Sequence, residues 1–389
     1  MMIDAQNRWH HVVLTTTFEA EGCCFADMDG DGQEELVAGA RWWKLDGSAS
    51  AEFRDIPDAW LPPWGGGDRH DPHAHLREGG GPPQYKAATY DWGLTAPGAL
   101  PRLLSVGMHL DPIHWYEPDG GRWRRHRVAS GGIYESAVFT EVDCEGTRGL
   151  VTVPERPAIA WYEPSANPRE PWREHRVGER GGNWHGLGVG ALELGGAPRI
   201  LTPTGSYAST DGIRKPWRWS DFRQICEDGH IEKGLGDVCL IHACAVGDDA
   251  PSLFAASPHG RGLWRWDLTD SNSRGRTYRR YDLGAQTSQL HALAVLPATP
   301  AEEVDAWIVT GKRWQAHGPF HDVDPASDPV LFRAGIFRDP RRPPQIELID
   351  SASGVGLQIA VRRLDDDRMQ IATANKMGVH VFTERKDET

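Results

Sequence analysis

The chain has 389 residues, of which 44 are glycine, 28 proline and 17 tryptophan, and its formal net charge is −13 at pH 7. This acidic balance, with no basic stripe, argues against a protein that binds nucleic acid. No apolar run approaches the roughly 20 residues of a membrane helix, and the start, MMIDAQNRWHHVV, lacks a basic region followed by an apolar stretch. We therefore expect neither a membrane partner nor a secretory signal.

An acidic turn lies near the start of the chain. The segment FADMDGDGQEELVAG (25–39) contains the pattern D-x-D-G-D-G-x-x-E. Carboxylates at this spacing, with glycines in the turn, suit Ca²⁺, a hard ion that takes about six to eight oxygen ligands. We expect one structural calcium site there, with the ligands Asp27, Asp29, Asp31 and Glu35.

A repeated unit follows in the chain. HWYEPDGGRWRRHRV (114–128) and AWYEPSANPREPWREHRV (160–177) each read as a strand, a turn and a second strand. A β-type run with period-2 alternation lies upstream of each unit. Such runs recur roughly every 50 residues, as expected of a repeat protein. They are ELVAGA (35–40), RLLSVGMH (102–109), GLVTVPE (149–155), RILTPTG (199–205), SLFAASPHG (252–260), AWIVTGK (306–312) and QIATANK (370–376).

These seven runs predict one all-β domain over residues 1–389, a seven-bladed β-propeller of four-stranded blades. The last predicted blade ends at VHVFTER (379–385) and has no outer strand, whereas RWHHVVL (8–14) reads as an outer strand with no blade before it. Pairing of the N-terminal strand into the C-terminal blade closes the ring and removes exposed sheet edges. Most tryptophans are then expected to pack between blades.

Two sets of motifs resemble known propellers. Segment 25–39 resembles the FG-GAP or VCBS-type repeat, and the WYEP units with NWHG (183–186) resemble the propeller of aldos-2-ulose dehydratase, also called 1,5-anhydrofructose dehydratase. At the level of blade pattern the resemblance covers nearly the whole chain. It implies a propeller fold and the dehydration of a keto-sugar.

Each innermost strand of the predicted blades begins with a polar residue. Examples are His185-Gly-Leu-Gly-Val, His242-Ala-Cys-Ala-Val and His291-Ala-Leu-Ala-Val. Because the innermost strands line the channel of a propeller, residues at one repeat position are expected to form a ring at its mouth. The predicted ring is Glu21, Lys86, Glu135, His185, His242, His291 and Gln358.

Imidazoles at one height in successive blades predict a divalent metal site, because neutral imidazoles bind such ions at about 2.1 Å. We assign His185, His242 and His291 to a catalytic Zn, Mn or Mg ion, with Gln358 or Glu135 assisting. The alternative is a channel lined by polar groups that hold water.

A second polar ring is predicted at the ends of the next strands, on the same face. It contains Arg41, His109, Glu155, Ser206, His259, Lys312 and Lys376. The long insertions 60–84, 206–215, 224–236 and 313–328 fall on this face too, so they are expected to wall one pocket. The candidates for contacting a sugar there are His70, His73, His75, Trp184, Tyr207 and Trp314.

The residue types at this mouth suit proton chemistry. The chain has no serine elbow, phosphate loop or dinucleotide fingerprint. Imidazoles, carboxylates and lysines suit abstraction of a proton beside a carbonyl, followed by β-elimination. The expected activity is a metal-dependent carbon–oxygen lyase that dehydrates a small keto-sugar, as the resemblance also implies. The candidates for acid and base are Glu135, His109, His259 and Lys312.

Other functions fit the same sequence. A lectin-like propeller would have shallow aromatic pockets repeated between blades, a polysaccharide lyase would have an open groove flanked by arginine and lysine, and a protein-interaction scaffold is a fourth possibility. The six cysteines form no C-x-x-C pair and lie mostly in apolar runs, which favours a reducing, cytoplasmic location. The sequence leaves a homodimer open.

Overall fold

A computed structural model describes residues 3–4, 8–39, 41–45, 53–55, 86–91, 101–107, 113–119, 122–129, 135–142, 146–167, 169–183, 185–209, 217–247, 250–273, 275–284, 287–316 and 322–386. Over these residues the chain forms thirty β-strands and no α-helix. No helix in the described part is long and apolar enough to cross a membrane.

The first half of the chain forms three sheets of four antiparallel strands, each following chain order. The first sheet is β3 (Cys23–Ala26), β4 (Glu35–Ala38), β5 (Arg41–Trp43) and β6 (Phe53–Asp55). The second is β7 (Lys86–Asp91), β8 (Leu103–Gly107), β9 (Ile113–Asp119) and β10 (Arg122–Ala129). The third is β11 (Ala137–Glu141), β12 (Arg148–Glu155), β13 (Ala158–Glu163) and β14 (Arg173–Gly178).

The middle of the chain forms a sheet of nine strands in the described residues. One antiparallel group is β15 (Gly188–Gly190), β16 (Arg199–Thr202), β17 (Gly205–Ala208) and β18 (Arg218–Ile225), with β19 (Ile231–Lys233) added beside β18. The other is β20 (His242–Cys244), β21 (Ser252–Ala256), β22 (Leu263–Asn272) and β23 (Gly275–Asp282). A parallel pairing of β18 with β23 joins the two groups.

The last third of the chain forms two sheets, and each also takes up an N-terminal strand. Strand β1 (Ile3–Asp4) lies parallel to β27, in a sheet with β24 (Leu293–Pro297), β25 (Ala306–Gly311), β26 (Leu331–Ile336) and β27 (Gln345–Asp350). Strand β2 (Trp9–Thr15) lies antiparallel to β30, in a sheet with β28 (Ile359–Arg363), β29 (Met369–Asn375) and β30 (Gly378–Glu384). The pairing of β2 with β30 is the predicted closure by the N-terminal strand.

Buried apolar clusters join each group of strands to the next. One of them contains Cys23 and Leu36 from the first sheet together with Ala372 and Val379 from the last, so the ring of sheets closes on itself. Tryptophans fill several of these clusters, and Trp43, Trp115, Trp161 and Trp266 are among the largest fully buried side chains. Each buried tryptophan removes about 150–250 Å² from water. The described residues therefore form an all-β propeller, as the repeat predicts.

The innermost strands of neighbouring groups pack backbone to backbone. A Cβ atom on Gly188 would lie 1.9 Å from the carbonyl oxygen of Ile241, and one on Gly356 would lie 2.2 Å from that of Glu21. Only glycine fits at such approaches. This tight packing brings the side chains that precede these strands close to one another.

Candidate active site

Three polar side chains that precede innermost strands meet at one end of the propeller. Glu135, His185 and His291 stand two or three positions before β11, β15 and β24. His185 Nε2 lies 3.2 Å from Glu135 Oε2, and the ring centroids of His185 and His291 are 5.2 Å apart with their planes at 89°. His185 and His291 are buried, and the side chain of Glu135 is 9% exposed. The predicted meeting of residues at this repeat position therefore holds for these three.

A third imidazole, that of His259, comes from the loop after β21. Its ring centroid lies 4.7 Å from that of His185 and 6.2 Å from that of His291. Its Nδ1 lies 2.6 Å from Asp237 Oδ2. The side chains of His259 and Asp237 are 42% and 49% exposed, whereas His185 is buried. The cluster therefore opens to solvent on the side of His259.

Two threonine hydroxyls show that Glu135 and His291 occupy equivalent positions in their sheets. Thr152 Oγ1 donates to the carbonyl of Ser136 at 2.8 Å, and Thr310 Oγ1 donates to the carbonyl of Ala292 at 2.7 Å. Each acceptor directly follows the cluster residue in sequence. The same hydrogen bond in two sheets fixes the same register, so Glu135 and His291 are equivalent.

His242 does not join this cluster, contrary to the sequence prediction. It stands inside β20, opposite Phe254, and burial lowers the pKa of its imidazole to about 4, partly offset by a hydrogen bond with the backbone of Leu293. Its Nε2 is buried without a hydrogen-bond partner among the described residues. His242 is thus a neutral imidazole between β20 and β24.

The two strands begin at different positions relative to their histidines. β20 begins at His242 itself, which pairs with Phe254, whereas β24 begins at Leu293, two positions after His291, and pairs there with Thr310. His242 therefore lies within its strand, while His291 precedes its strand.

A buried ion pair lies on the other side of the mouth. Arg313 donates from Nε and Nη2 to the two carboxylate oxygens of Glu21, both at 3.0 Å, and the two side chains are 3% and 0% exposed. Lys376 donates to the carbonyl of Gln315. Burial, with a further contribution from Arg313, lowers the pKa of Lys376 to about 8. This side therefore offers a cation that can release its proton near neutral pH.

Two residues beside the cluster have a left-handed backbone that non-glycine residues rarely adopt. The φ angles are 58° at Gln289 and 46° at Gln315. Gln289 precedes His291 by two positions, and its carbonyl lies 3.2 Å from His291 Nδ1. Both amide atoms of the Gln289 side chain are buried without a hydrogen-bond partner among the described residues. Such strain and unmet polarity are common at ligand sites.

Burial also sets the protonation of the central imidazole. Burial lowers the pKa of His185 to about 4, although Glu135 acts in the opposite direction. His185 is therefore neutral at pH 7. The hydrogen bond from His259 lowers the pKa of Asp237, so this carboxylate stays charged and orients the exposed imidazole.

Four other predicted residues have different surroundings. Lys312 is fully buried and its ammonium donates to the carbonyl and hydroxyl of Ser327, with burial lowering its pKa. Tyr207 is 3% exposed, and its hydroxyl donates to the carbonyl of Arg180 at 3.1 Å. Tyr207 therefore packs inside the sheet and offers no surface to a sugar. The backbone N–H of Gln358 donates to the backbone carbonyl of Glu21 at 3.1 Å, and Trp314 is half-buried.

Five of the predicted site residues lie outside the described residues. They are His70, His73, His75, His109 and Trp184. Their assignment to the pocket stays a prediction.

The acidic turn lies between β3 and β4, away from the mouth. Ligand oxygens of Asp27, Asp29 and Glu35 all lie within 4.8 Å of one another. Asp29 Oδ1 is buried without a hydrogen-bond partner among the described residues. Three converging carboxylates with one unsatisfied oxygen fit a hard cation.

Asp31, the fourth predicted ligand, faces a lysine instead. Its Oδ2 lies 2.8 Å from Lys44 Nζ, and the same ammonium lies 2.6 Å from Asp29 Oδ2. Asp27 accepts the backbone N–H groups of Gly30 and Gly32, at 2.7 and 3.0 Å. Lys44 thus supplies positive charge to the same turn.

Sequence reasoning missed Asp237, Arg313 and Gln289. Arg313 directly follows Lys312, which sequence patterning had assigned to the mouth, and Gln289 stands two positions before His291. Asp237 directly follows the predicted insertion 224–236. Each of the three stands next to a residue or segment that the sequence predicts for the site. Only the folded structure shows that the side chains of these neighbours belong to it.

Taken as a class, the molecule is an all-β propeller with a cluster of imidazoles and carboxylates at one end of its axis. No family model and no curated protein sequence matches the chain. Solved structures match it at low identity. YCF48 from Cyanidioschyzon merolae is 13% identical, with 98% of this chain and 100% of that chain covered and a TM-score of 0.48.

Two further structures match over part of the chain. A mutant of AofleA from Arthrobotrys oligospora, in which three arginines are replaced by alanine, is 13% identical and covers 73% of this chain and 81% of its own, with a TM-score of 0.41. An auxiliary nutrient binding protein from Bacteroides thetaiotaomicron is 10% identical and covers 73% of this chain and 66% of its own, with a TM-score of 0.43. At this level of similarity no function follows from them.

Proposed function

We propose that this chain is a carbon–oxygen lyase that dehydrates a small keto-sugar at the axial cluster. The observation that supports the proposal is the meeting of His185, His259 and His291 with Glu135 and Asp237. Clusters of titratable side chains with pKa values shifted by burial are common at functional sites.

His259 is the proposed general base. It is the exposed member of the cluster, and Asp237 Oδ2 at 2.6 Å from its Nδ1 orients the ring. A carboxylate on one ring nitrogen leaves the other as proton acceptor. His259 would take the proton from the carbon beside the substrate carbonyl.

His185, His291 and Glu135 are the proposed ligands of a divalent metal. An ion about 2.1 Å from a ring nitrogen lies about 3.2 Å from that ring's centroid, so two imidazoles on one tetrahedral ion have centroids about 5 Å apart. The observed 5.2 Å between His185 and His291 fits this value. A contact from Nδ1 of His291 to the Gln289 carbonyl leaves Nε2 to face an ion.

The donor atoms of this cluster stand further apart than the ligands of one bound ion. Among the described residues, two other groups have three ligand atoms within 4.8 Å of one another, and this cluster is not one of them. The side chains would therefore have to move inward on binding. The metal's chemical contribution would be to polarise the substrate carbonyl.

The reaction needs an acid as well as a base. The C–H bond beside the carbonyl breaks, its electron pair forms the carbon–carbon double bond, and the neighbouring hydroxyl leaves as water. Lys376, whose pKa is lowered to about 8 by burial, is suited to supply the proton to the departing hydroxyl. Glu21 neutralises the charge of Arg313, and Arg313 contributes to the lowered pKa of Lys376.

The test is turnover of keto-sugars, beginning with 1,5-anhydrofructose, followed by the ultraviolet absorption of the enone product. His259→Asn and Asp237→Asn should lower kcat by about 10²- to 10⁴-fold, the usual contribution of a general base. His10→Gln, which removes an exposed imidazole of β2, is the matched control and should turn over at the wild-type rate.

Each outcome of this test decides between functions. Enone formation that depends on His259 supports the lyase. Binding of sugars without turnover by any of them would favour the carbohydrate-binding alternative and overturn the lyase. Turnover that is unchanged in His259→Asn would remove this residue from the mechanism.

The finer description of the fold belongs to the same proposal. We propose seven blades, counting the nine-stranded sheet as two, β15–β18 and β20–β23. The parallel pairing that joins them is an edge contact between outer strands. The proposed relationship to FG-GAP or VCBS propellers and to aldos-2-ulose dehydratase rests on the acidic turn and on the WYEP and NWHG motifs.

The acidic turn is proposed to bind Ca²⁺ as a structural ion. Asp27, Asp29 and Glu35 would be its ligands, because their oxygens converge. Asp31 would join them only if Lys44 withdraws from it. Calcium here would stabilise the turn between β3 and β4 and take no part in catalysis.

A further inference from the structure

A small hairpin between β18 and β19 carries a second group of metal-binding residue types. The chain turns back at residues 226–229, where the backbone N–H of Gly229 donates to the carbonyl of Cys226 at 2.9 Å. Gly229 has a φ of 87°, which glycine adopts at no steric cost. The sequence of this hairpin is CEDGHIE (226–232).

The register of the hairpin puts four polar side chains on one face. Gln224 lies opposite Glu232, and the backbone N–H of Cys226 donates to the carbonyl of His230 at 2.9 Å. Side chains two residues apart on a strand point to the same face, as do directly opposed ones. Gln224, Cys226, His230 and Glu232 therefore share a face, and Ile231, on the other face, is 64% exposed.

A chain of hydrogen bonds orients the carboxylate. Trp266 Nε1 donates to Gln224 Oε1 at 2.9 Å, and Gln224 Nε2 donates to Glu232 Oε2 at 2.9 Å. The second oxygen, Glu232 Oε1, lies 2.9 Å from His230 Nε2. A tryptophan that is fully buried thus anchors the position of an exposed carboxylate.

The imidazole is oriented in the same way. Asp228 contacts His230 Nδ1 and also accepts the backbone N–H of His230 at 3.2 Å. A carboxylate on one ring nitrogen directs the other nitrogen towards a metal, as in carboxylate–histidine–zinc sites. This leaves His230 Nε2 facing Glu232 and the sulphur of Cys226.

We propose that Cys226, His230 and Glu232 form a zinc site with a fourth position open to solvent. One sulphur, one nitrogen and one oxygen atom from these residues all lie within 4.8 Å of one another. This donor set is typical of zinc, which binds thiolate, imidazole and carboxylate in tetrahedral geometry. Binding displaces the thiol proton of Cys226 and the proton between His230 and Glu232.

The site would fasten a junction in the propeller. Residues Arg223 to Ile225, at the end of β18, pair with β19 on one side and with β23 of the following group on the other. Zinc at the hairpin would hold the end of β18 in the position that both pairings need. The proposal does not depend on the proposed lyase activity.

Cobalt substitution gives a direct test on the full chain. After metal removal, titration with Co²⁺ should produce thiolate-to-cobalt charge-transfer absorption in the near ultraviolet, saturating at one ion per chain. The axial cluster and the acidic turn have no cysteine among their proposed ligands, so they cannot give this signal. Cys226→Ser should abolish it, whereas Cys244→Ser, a half-buried cysteine in β20, should retain it.

Two exposed ligands keep the test decisive if Cys226→Ser fails to fold. His230→Gln and Glu232→Gln should each weaken Co²⁺ affinity at least tenfold when the thiolate-to-cobalt charge-transfer band is titrated. Absence of the charge-transfer band in the wild-type chain would overturn the proposal. So would a band that survives Cys226→Ser, or a band that titrates with wild-type Co²⁺ affinity in both His230→Gln and Glu232→Gln.

Discussion

At the scale of single residues, the oxygen Asp29 Oδ1 stands out because it is buried without a hydrogen-bond partner among the described residues. A buried polar atom left unpaired costs about 1–3 kcal/mol. Burial, together with the charges of Asp29 and Asp31, also raises the pKa of Glu35 above its ordinary value. A cation held by Asp27, Asp29 and Glu35 would remove both costs.

Calcium should therefore stabilise the protein. At a concentration about 100 times the Kd, a ligand that binds only the folded state contributes about 2.7 kcal/mol. We expect Ca²⁺ to raise the Tm of the wild-type chain and to have no effect on Asp29→Asn. Differential scanning calorimetry with Ca²⁺ and with a chelator measures this, and equal Tm values for the wild type in both conditions would contradict the calcium site.

At the scale of elements, the closing strand β2 introduces a pH-dependent contact. His11 Nε2 of β2 lies 3.1 Å from His380 Nδ1 of β30, and the His11 ring stacks on Phe382 at 4.2 Å. Burial lowers the pKa of both imidazoles. The charge of Asp350 raises both pKa values in part, while His10 lowers the pKa of His11 further. Two imidazoles in contact cannot both be protonated without repulsion.

Acidification should therefore loosen the closure. The folded-state pKa values lie below the unfolded value of about 6.5, so the unfolded chain binds protons first and stability falls as pH drops below about 6.5. Urea unfolding at pH 7.5 and 5.5 should show a smaller loss of stability in a His11→Gln/His380→Gln variant than in the wild type. Identical losses in the double variant and the wild type would refute this role.

The elements also show how far a sequence can predict the site. Alternation of small and apolar residues predicts the inner strands, and Glu135, His185 and His291, placed at one repeat position by this alternation, lie together in the structure. The same alternation gave His242 the wrong register, because His-Ala-Cys-Ala-Val and His-Ala-Leu-Ala-Val look alike. Register depends on pairing with the following strand, and in β20 this pairing begins at His242 itself, opposite Phe254.

Long-range contacts account for the rest of the site. His259 was predicted as an acid or base, but its partner Asp237 could not be inferred, since the two stand in different loops. Arg313 and Glu21 are 292 positions apart, and no local pattern links them. Lys312 has the spacing of a site residue, yet its ammonium turns towards Ser327.

At the scale of the whole molecule, the propeller was predictable because one physical unit is repeated. Each group of strands has apolar residues on both faces, so it is stable only between two neighbours. The clusters between groups include one that joins the first sheet to the last. The same ring geometry is what carries residues from positions 135, 185, 259 and 291 to one place.

Anomalous diffraction from zinc-soaked crystals, recorded at the zinc absorption edge, tests the central claim that these side chains converge on one ion. We predict a peak about 2.0–2.2 Å from His185, His291 and Glu135, with the His259 ring beside it. Density in which the rings of His185 and His291 turn away from each other, with no peak between them, would contradict the account.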